Sequence, residues 1–416
     1  MRLTKIAYGW DPDREFYVPD EVRAHFGSIG TRGAQLAAAW EARMAAYRAT
    51  FSAEAAELER RLAGRLPEGW AAVLPSYAFG EGVATRQASQ ATIQAAAAVL
   101  PELIGGAADL SESNLTDIKE AALFTAEAPG RNIRYGVREH AMGAIANGLA
   151  YHGGFIPFAG TFLVFSDYMR GAVRLAALSR LGVVYVWTHD SVGVGEDGPT
   201  HEPVEQVAAL RAVPNLHVIR PGDPNEAVAA WRVAIERRDG PTALILSRQK
   251  LPVVQESPEA ALDGVRRGGY ILADAVGPDG SPAGPEVILI ATGSELQLAV
   301  AARAALQAGG TRTRVVSLPC WERFAALPAT ERDAVLPPTV TKRVSIEAGV
   351  SLGWDRWVGP HGAIMAIETF GLSAPGPEVM EAFGFTAGRA VEVAKGVLEG
   401  TILGVVANDP HLEEQR

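Results

Sequence analysis

The run Trp187-Thr188-His189-Asp190-Ser191-Val192-Gly193-Val194-Gly195-Glu196-Asp197-Gly198-Pro199-Thr200-His201-Glu202-Pro203 gathers more acid, base and hydrogen-bonding groups than any other stretch of the chain. His189, His201, Asp190 and Asp197 offer proton donors and acceptors that work near neutral pH. Gly193, Gly195 and Gly198 let the backbone come close to a ligand or take positive φ. The bland alternative is a glycine-rich turn with polar caps. A metal site is a weaker reading, because His189 and His201 lack a third ligand at the usual spacing. In Tyr135-Gly136-Val137-Arg138-Glu139-His140, Glu139 stands where a strand gives way to a helix. Taken alone it is explained as a first-turn carboxylate complementing the helix dipole.

Other polar groups sit at other turns. Arg86 opens a helix, Asp109 and Ser113 lie in Gly105-Gly106-Ala107-Ala108-Asp109-Leu110-Ser111-Glu112-Ser113-Asn114, and Arg248 follows a strand in Ser247-Arg248-Gln249. Singly, each arginine reads as a surface charge; together they supply bidentate donors to a phosphate. Phe162, Phe165 and Tyr168 have helical spacing, which by default means core.

The elements that must position these groups alternate. Thr85 is the expected N-cap of a helix over Ala88 to Val99. Strands are expected at Ile133 to Tyr135, Phe155 to Phe158, Val183 to Thr188, Leu216 to Ile219 and Thr242 to Leu246. Helices are expected at Glu139 to Tyr151, at Phe162 to Leu178 with Tyr168, Val173 and Leu175 inward, and at Glu226 to Ile235. A second series follows: strands at Val287 to Ile290, Arg314 to Leu318 and Arg343 to Glu347, with a helix over Glu295 to Leu306. Such alternation implies mostly parallel sheets covered by helices on both faces. The expected fold class is α/β: two doubly wound domains, 81–256 and 257–416, preceded by a helical connecting arm over 1–80. The chemistry-bearing loop then follows the carboxyl end of a parallel strand, where open α/β sheets place ligands.

At 416 residues the chain exceeds one ordinary core. Its formal net charge of -10 is spread along the chain, which argues against nucleic acid or an anionic membrane as partner. Cys320 is the only cysteine, no apolar run reaches about 18 residues and no leader opens the sequence, so a soluble protein of a reducing cytoplasm is expected.

The strings Tyr135 to His140, His189 to Pro203, Asp109 to Asn114 and Ser247 to Gln249 together resemble the transketolase family. That resemblance implies transfer of a two-carbon ketol unit between sugar phosphates, with thiamine diphosphate and Mg2+ or another divalent metal. It implies that 81–256 binds the cofactor's pyrimidine and that 257–416 is the family's C-terminal domain. Glu139 then resembles the carboxyl group that drives the aminopyrimidine toward its imino form, so that the ring can take the thiazolium proton. Phe162, Phe165 and Tyr168 resemble the aromatic wall around that ring, with Phe165 the stacking partner, and Asp109 belongs to the same cofactor-binding set. Arg86, Ser113, His189 and Arg248 resemble the group that grips sugar phosphate; Asp197 and His201 resemble groups on the sugar hydroxyls, and His201 joins Glu139 as a catalytic candidate.

The family's diphosphate domain carries a Gly-Asp-Gly triplet, which this sequence does not contain. The expectation is therefore that this domain is missing, with the metal ligands outside the chain, which is expected to be inactive alone. Three origins stay open: a split enzyme with a separate diphosphate-binding subunit, a truncated start, and an inactive remnant acting as a dimerising or regulatory module. The family's site lies between subunits, so a homodimer is a further expectation. Other thiamine-dependent enzymes, such as a 2-oxo-acid dehydrogenase β subunit or a deoxyxylulose-phosphate synthase, share the pyrimidine-facing Glu but not the His189 to Pro203 string. The turn Thr292-Gly293-Ser294-Glu295 is too weak a signal for dinucleotide binding.

Overall fold

Strand Val184–Thr188 shows why the first sheet is buried on both sides. Val184 and Val186 pack into one apolar cluster and Tyr185 and Trp187 into another, each at most 2% exposed. Successive side chains of a strand point to opposite faces, so a strand apolar at every position needs cover on both. Five such strands form the sheet: β1 (Leu103–Ala107), β2 (Ile156–Phe162), β3 (Val184–Thr188), β4 (His217–Ile219) and β5 (Thr242–Leu246). They lie in the order β1-β2-β3-β5-β4, every pair parallel.

The second sheet repeats the logic. In β7 (Val287–Ala291), Val287, Leu289 and Ala291 join one cluster and Ile288 and Ile290 the opposite one. With β6 (Tyr270–Ala273), β8 (Thr313–Ser317), β9 (Arg343–Ile346), β10 (Ala363–Met365) and β11 (Gly404–Val406), the order is β11-β10-β9-β7-β8-β6. Only β6 runs antiparallel, against β8. The architecture is thus α/β with two mostly parallel sheets.

This computed structural model describes residues 1–255 and 257–413. Glu256, where the expected boundary between the two sheet domains falls, and residues 414–416 lie outside the described residues. The chain forms two compact units, Met1–Ala63 and Gly64–Arg416. The first consists of helices Arg2–Ala7, Asp20–Thr50 and Ser52–Leu62. Phe51 separates the last two of these helices with φ -127 and ψ 64. Trp70 is buried in the first sheet's core, with Leu66, Leu74 and Tyr77 packed beside it. Strand Gly82–Ala84 then pairs antiparallel with Lys250–Pro252.

Among the described residues Ile133 to Tyr135 is not a strand. The segment touches β1 through a single bridge, Gly105 to Asn132, with the Ile133 N–H donating to the Gly105 carbonyl at 2.7 Å. It fits there because Gly106 has no side chain: a Cβ would collide with the Ile133 carbonyl. No described helix is long and apolar enough to cross a membrane.

Candidate active site

The carboxyl ends of four parallel strands deliver the site. Asp109 follows β1, Phe162 ends β2, His189 follows β3, and Ser247 and Arg248 follow β5. Arg86 arrives on helix Thr85–Val99, whose first residue does not cap it as expected. Ala84 occupies the cap position, and the Thr85 hydroxyl instead accepts the Ser247 N–H at 2.7 Å. That bond ties the helix start to the end of β5 and sets Arg86 near Arg248. Arg86 Nη1 donates to the Ser113 carbonyl at 2.7 Å, and Arg248 Nη1 to the Val194 carbonyl at 3.2 Å.

The aromatic residues do not belong to one long α-helix. Leu163–Met169 is 3-10 helix and only Arg170–Leu178 is α-helix. A 3-10 helix has three residues per turn and rises about 2 Å per residue, so side chains three apart eclipse at about 6 Å. The rings follow that rule. Phe162 and Phe165 stack at 6.0 Å with planes 6° apart, and Phe165 and Tyr168 at 6.0 Å and 27°. His189 extends the ladder below Phe162 at 3.7 Å, while His201 meets the edges of Phe162 and Phe165 at 6.3 and 5.4 Å. The tighter helix also turns Tyr168 outward, to 69% exposure, and the following helix leaves Leu175 54% exposed; both were expected inward, and only Val173 is.

Glu139 begins helix Glu139–His152, whose buried face is Glu139, Met142, Gly143 and Ala146. A Cβ at Gly143 would lie 2.8 Å from the Ala172 Cβ and 3.0 Å from the Met169 Cε, so this face lies against the ring-bearing segment. Residues four apart share a helix face, which places Glu139 one turn beyond that contact. Glu139 is 8% exposed, and its carboxylate has no hydrogen-bond partner among the described residues.

His189 takes φ 64, and its Nδ1 shares a 2.7 Å hydrogen bond with the Thr188 hydroxyl, which accepts from Asn114 Nδ2 at 2.6 Å. Burial, then the charges of Arg86 and Arg248, hold His189 down to about 3. It is a neutral hydrogen-bonding group, not the neutral-pH proton switch its residue type suggests. Asp190 is engaged away from this ladder, pairing with the buried Arg220 at 2.8 Å. Asp197 and Asp109 are exposed and make no ring contact with the ladder. Asp109 lines a neighbouring cleft of about 530 Å³ with Ser113, Arg134 and Arg138.

Three participants escaped the residue-by-residue reading. Asn114 fixes Thr188 and through it the His189 ring; Arg220 anchors Asp190; Glu202 lies beside His201. Arg220 carried a signal, as a charged residue directly after the apolar run Val218-Ile219, and Glu202 lay within the conspicuous His189 to Pro203 string. Glu202 is 3% exposed beneath Gly371, where a Cβ would collide with its carboxyl. Burial pushes the carboxyl from 4.5 up to about 7. A raised carboxyl pKa gives stability that is complete below the unfolded value and lost as pH climbs through the folded one. Stability should therefore fall between pH 4.5 and about 7 on this account. Glu202→Gln should melt above the wild type at pH 8 and converge with it near pH 4.5; equal melting curves at pH 8 would remove the effect.

Comparison with known proteins agrees with this geometry. The family model described as transketolase, pyrimidine binding domain, matches residues 81–254, and that of the transketolase-like C-terminal domain matches 268–386. The model of the transketolase thiamine diphosphate binding domain matches residues 1–67. This last match corrects the expectation that nothing of that domain is present, and with it the ground for calling the chain a remnant. Transketolase of Geobacillus stearothermophilus is 51% identical over 399 residues, 95% of this chain and 59% of that protein. Transketolase from Leishmania mexicana superposes with a TM-score of 0.86 at 45% identity, covering 99% of this chain and 59% of that one. Transketolase from Pichia stipitis, solved in complex with sedoheptulose 7-phosphate, gives 0.88 at 39%, covering 97% and 59%. The chain thus spans about three-fifths of the length of these relatives. With three transketolase domain models matched along it and relatives aligned over nearly all of it, the chain belongs to the transketolase family.

Proposed function

We propose that this chain acts in transketolase-type transfer of a two-carbon ketol unit from a ketose phosphate to an aldose phosphate. The observation that carries the reading is the buried, unpartnered Glu139 on the helix face packed against the segment that bears the Phe162–Phe165–Tyr168 ladder. These residues fit a thiamine pyrimidine: a flat ring needs an aromatic surface, and its ring nitrogen needs a carboxyl group in a dry setting. When bound, thiamine diphosphate supplies the electron sink that carries the two-carbon unit. Glu139 would hold a proton against the ring nitrogen, and the ladder would fix the ring plane. Arg86 and Arg248 would grip the substrate phosphate. His189, held neutral, and His201 would hydrogen-bond the sugar, with His201 placed by its Nδ1 contact to the Thr200 hydroxyl at 2.9 Å.

Among the described residues no group of three His, Cys, Asp or Glu side chains is placed to hold a metal ion. The Pichia stipitis relative solved with a sugar phosphate supports the substrate class. Val137, Ile145, Tyr151, Tyr168, Leu175 and Leu178 are exposed on the elements around the ladder, an apolar face that suits a second copy of the chain. Sedimentation as a monomer at micromolar concentration would count against that homodimer. The lone Cys320 suits a reducing cytoplasm.

Because the chain spans 59% of its relatives, the test has two arms. The purified chain is assayed with thiamine diphosphate, Mg2+, a ketose phosphate and an aldose phosphate, alone and with a relative's thiamine-diphosphate-binding domain added as a separate polypeptide. Transfer is expected, and Arg86→Ala or Arg248→Ala should raise KM about tenfold with kcat little changed. A folded chain that gives no transfer in either arm refutes the reading.

A further inference from the structure

Outside the candidate active site, a cavity of about 390 Å³ opens between the edge strand β4 and helix Trp321–Ala326 of the second sheet's half. Its volume falls in the roughly 300–1,000 Å³ range of small-molecule sites. Three guanidinium groups line it, those of Arg237, Arg266 and Arg323, against two carboxylates, Glu236 and Asp239. Arg266 is matched by Glu236 at 2.9 Å, and Arg237 by Asp239 at 3.4 Å. Arg237 is further pinned, with Nη2 donating to the Asn215 carbonyl at 2.9 Å and to its side-chain oxygen at 2.7 Å.

Arg323 is different. Its Nε donates to the Arg266 carbonyl at 2.6 Å, but among the described residues no carboxylate pairs with it and its two terminal nitrogens have no hydrogen-bond partner. Across the cavity His217 opens β4, and its Nδ1 is buried with no partner in the described structure. Burial and the charges of Arg237 and Arg323 hold this ring down to about 3, so it stands neutral beside an excess of positive charge. A buried ring nitrogen left unmatched, as His217 Nδ1 is, is costly unless something supplies a partner.

We propose that this cavity binds a phosphate-bearing small anion at a second site, separate from the one that Arg86 and Arg248 line. Arg323 and His217 line the cavity from different elements, one from each sheet's half. A tetrahedral oxyanion, with acceptor oxygens facing several directions, can accept from both at once and still present oxygens to the cavity's other guanidinium groups. The anion would balance the surplus charge and bridge the two halves of the unit. The proposal does not depend on the ketol-transfer reading.

The test follows the imidazole signals of the full chain by NMR with 15N-labelled histidine, in an Arg86→Ala/Arg248→Ala background that weakens the other phosphate site. Loss of a signal in His217→Gln assigns it. Inorganic phosphate at millimolar concentration should shift the His217 signals saturably, and Arg323→Gln should weaken that response about tenfold. Arg323→Lys, which keeps the charge, should retain most of it. Unchanged His189 signals show that each variant is folded. Adenosine monophosphate binding more tightly than inorganic phosphate would identify an organic phosphate ester as the ligand; equal affinities would identify free phosphate. Signals of His217 that do not move, or that move equally in Arg323→Gln, overturn the proposal.

Discussion

Glu139→Gln is expected to lower ketol transfer by about two to four orders of magnitude while leaving the fold in place. Glutamine matches the side chain in size, so the packed face with Met142, Gly143 and Ala146 is undisturbed. What it loses is the ability to hold and share a proton with a ring nitrogen. The carboxyl has no partner among the described residues, so no competing structural bond would be broken by the change. Thermal melting should move little, since an unpaired group contributes no pair energy. The signature is kcat falling with KM nearly constant, the pattern of an interaction that matters only in the reaction. Transfer within a few-fold of the wild type would show that Glu139 does not face the cofactor.

The largest effect on stability should come from Arg220→Met, which is expected to cost about 3–5 kcal/mol. Arg220 is fully buried. Its Nε and Nη2 donate to Asp190 Oδ2 at 3.1 and 2.8 Å, and its Nη1 donates to Glu295 and, at 3.3 Å, to the Thr292 carbonyl. Glu347 lies 3.8 Å away and is itself matched by Arg211 at 2.7 Å. Arg211 and Arg220 together overcome burial to hold the Glu347 carboxyl at about 2. Remove the guanidinium and Asp190 and Glu295 are stranded without a counter-charge. The same substitution should reduce ketol transfer, because Asp190 anchors the backbone that keeps His189 at φ 64. Combining Arg220→Met with Asp190→Asn and Glu295→Gln should recover much of the lost stability, since the desolvated charges go together. A denaturation midpoint unchanged in the single variant would mean that the network carries no net weight.

Much of the fold was legible because the central strands are apolar at successive positions. Val184 to Trp187 and Val287 to Ala291 could only be buried on both faces, and that implies helices on both sides. Ends were less legible. Ile133 to Tyr135 has strand composition, but its partner strand accommodates it at only one bridge, a tertiary fact with no local trace. The candidate site was readable as a set of motifs and not as a geometry. Nothing in Phe162, Phe165 and Tyr168 distinguishes α from 3-10 winding, since both tolerate a spacing of three. His189 and Asp190 looked like acid–base groups because residue type is visible in a sequence and burial beside Arg86, Arg248 and Arg220 is not. Asn114 has no distinguishing neighbour at all; its role exists only because β1 and β3 bring two distant turns together.

The three-residue winding of Leu163–Met169 has a consequence for how this segment can vary. Its rings align by count, each turn adding one step of the ladder. Inserting or deleting a single residue between Phe162 and Tyr168 would rotate everything beyond it by about 120° and point the later rings elsewhere. Exchanging Val164 or Ser166 for another small residue leaves the count intact. The segment should therefore accept changes of letter far more readily than changes of length.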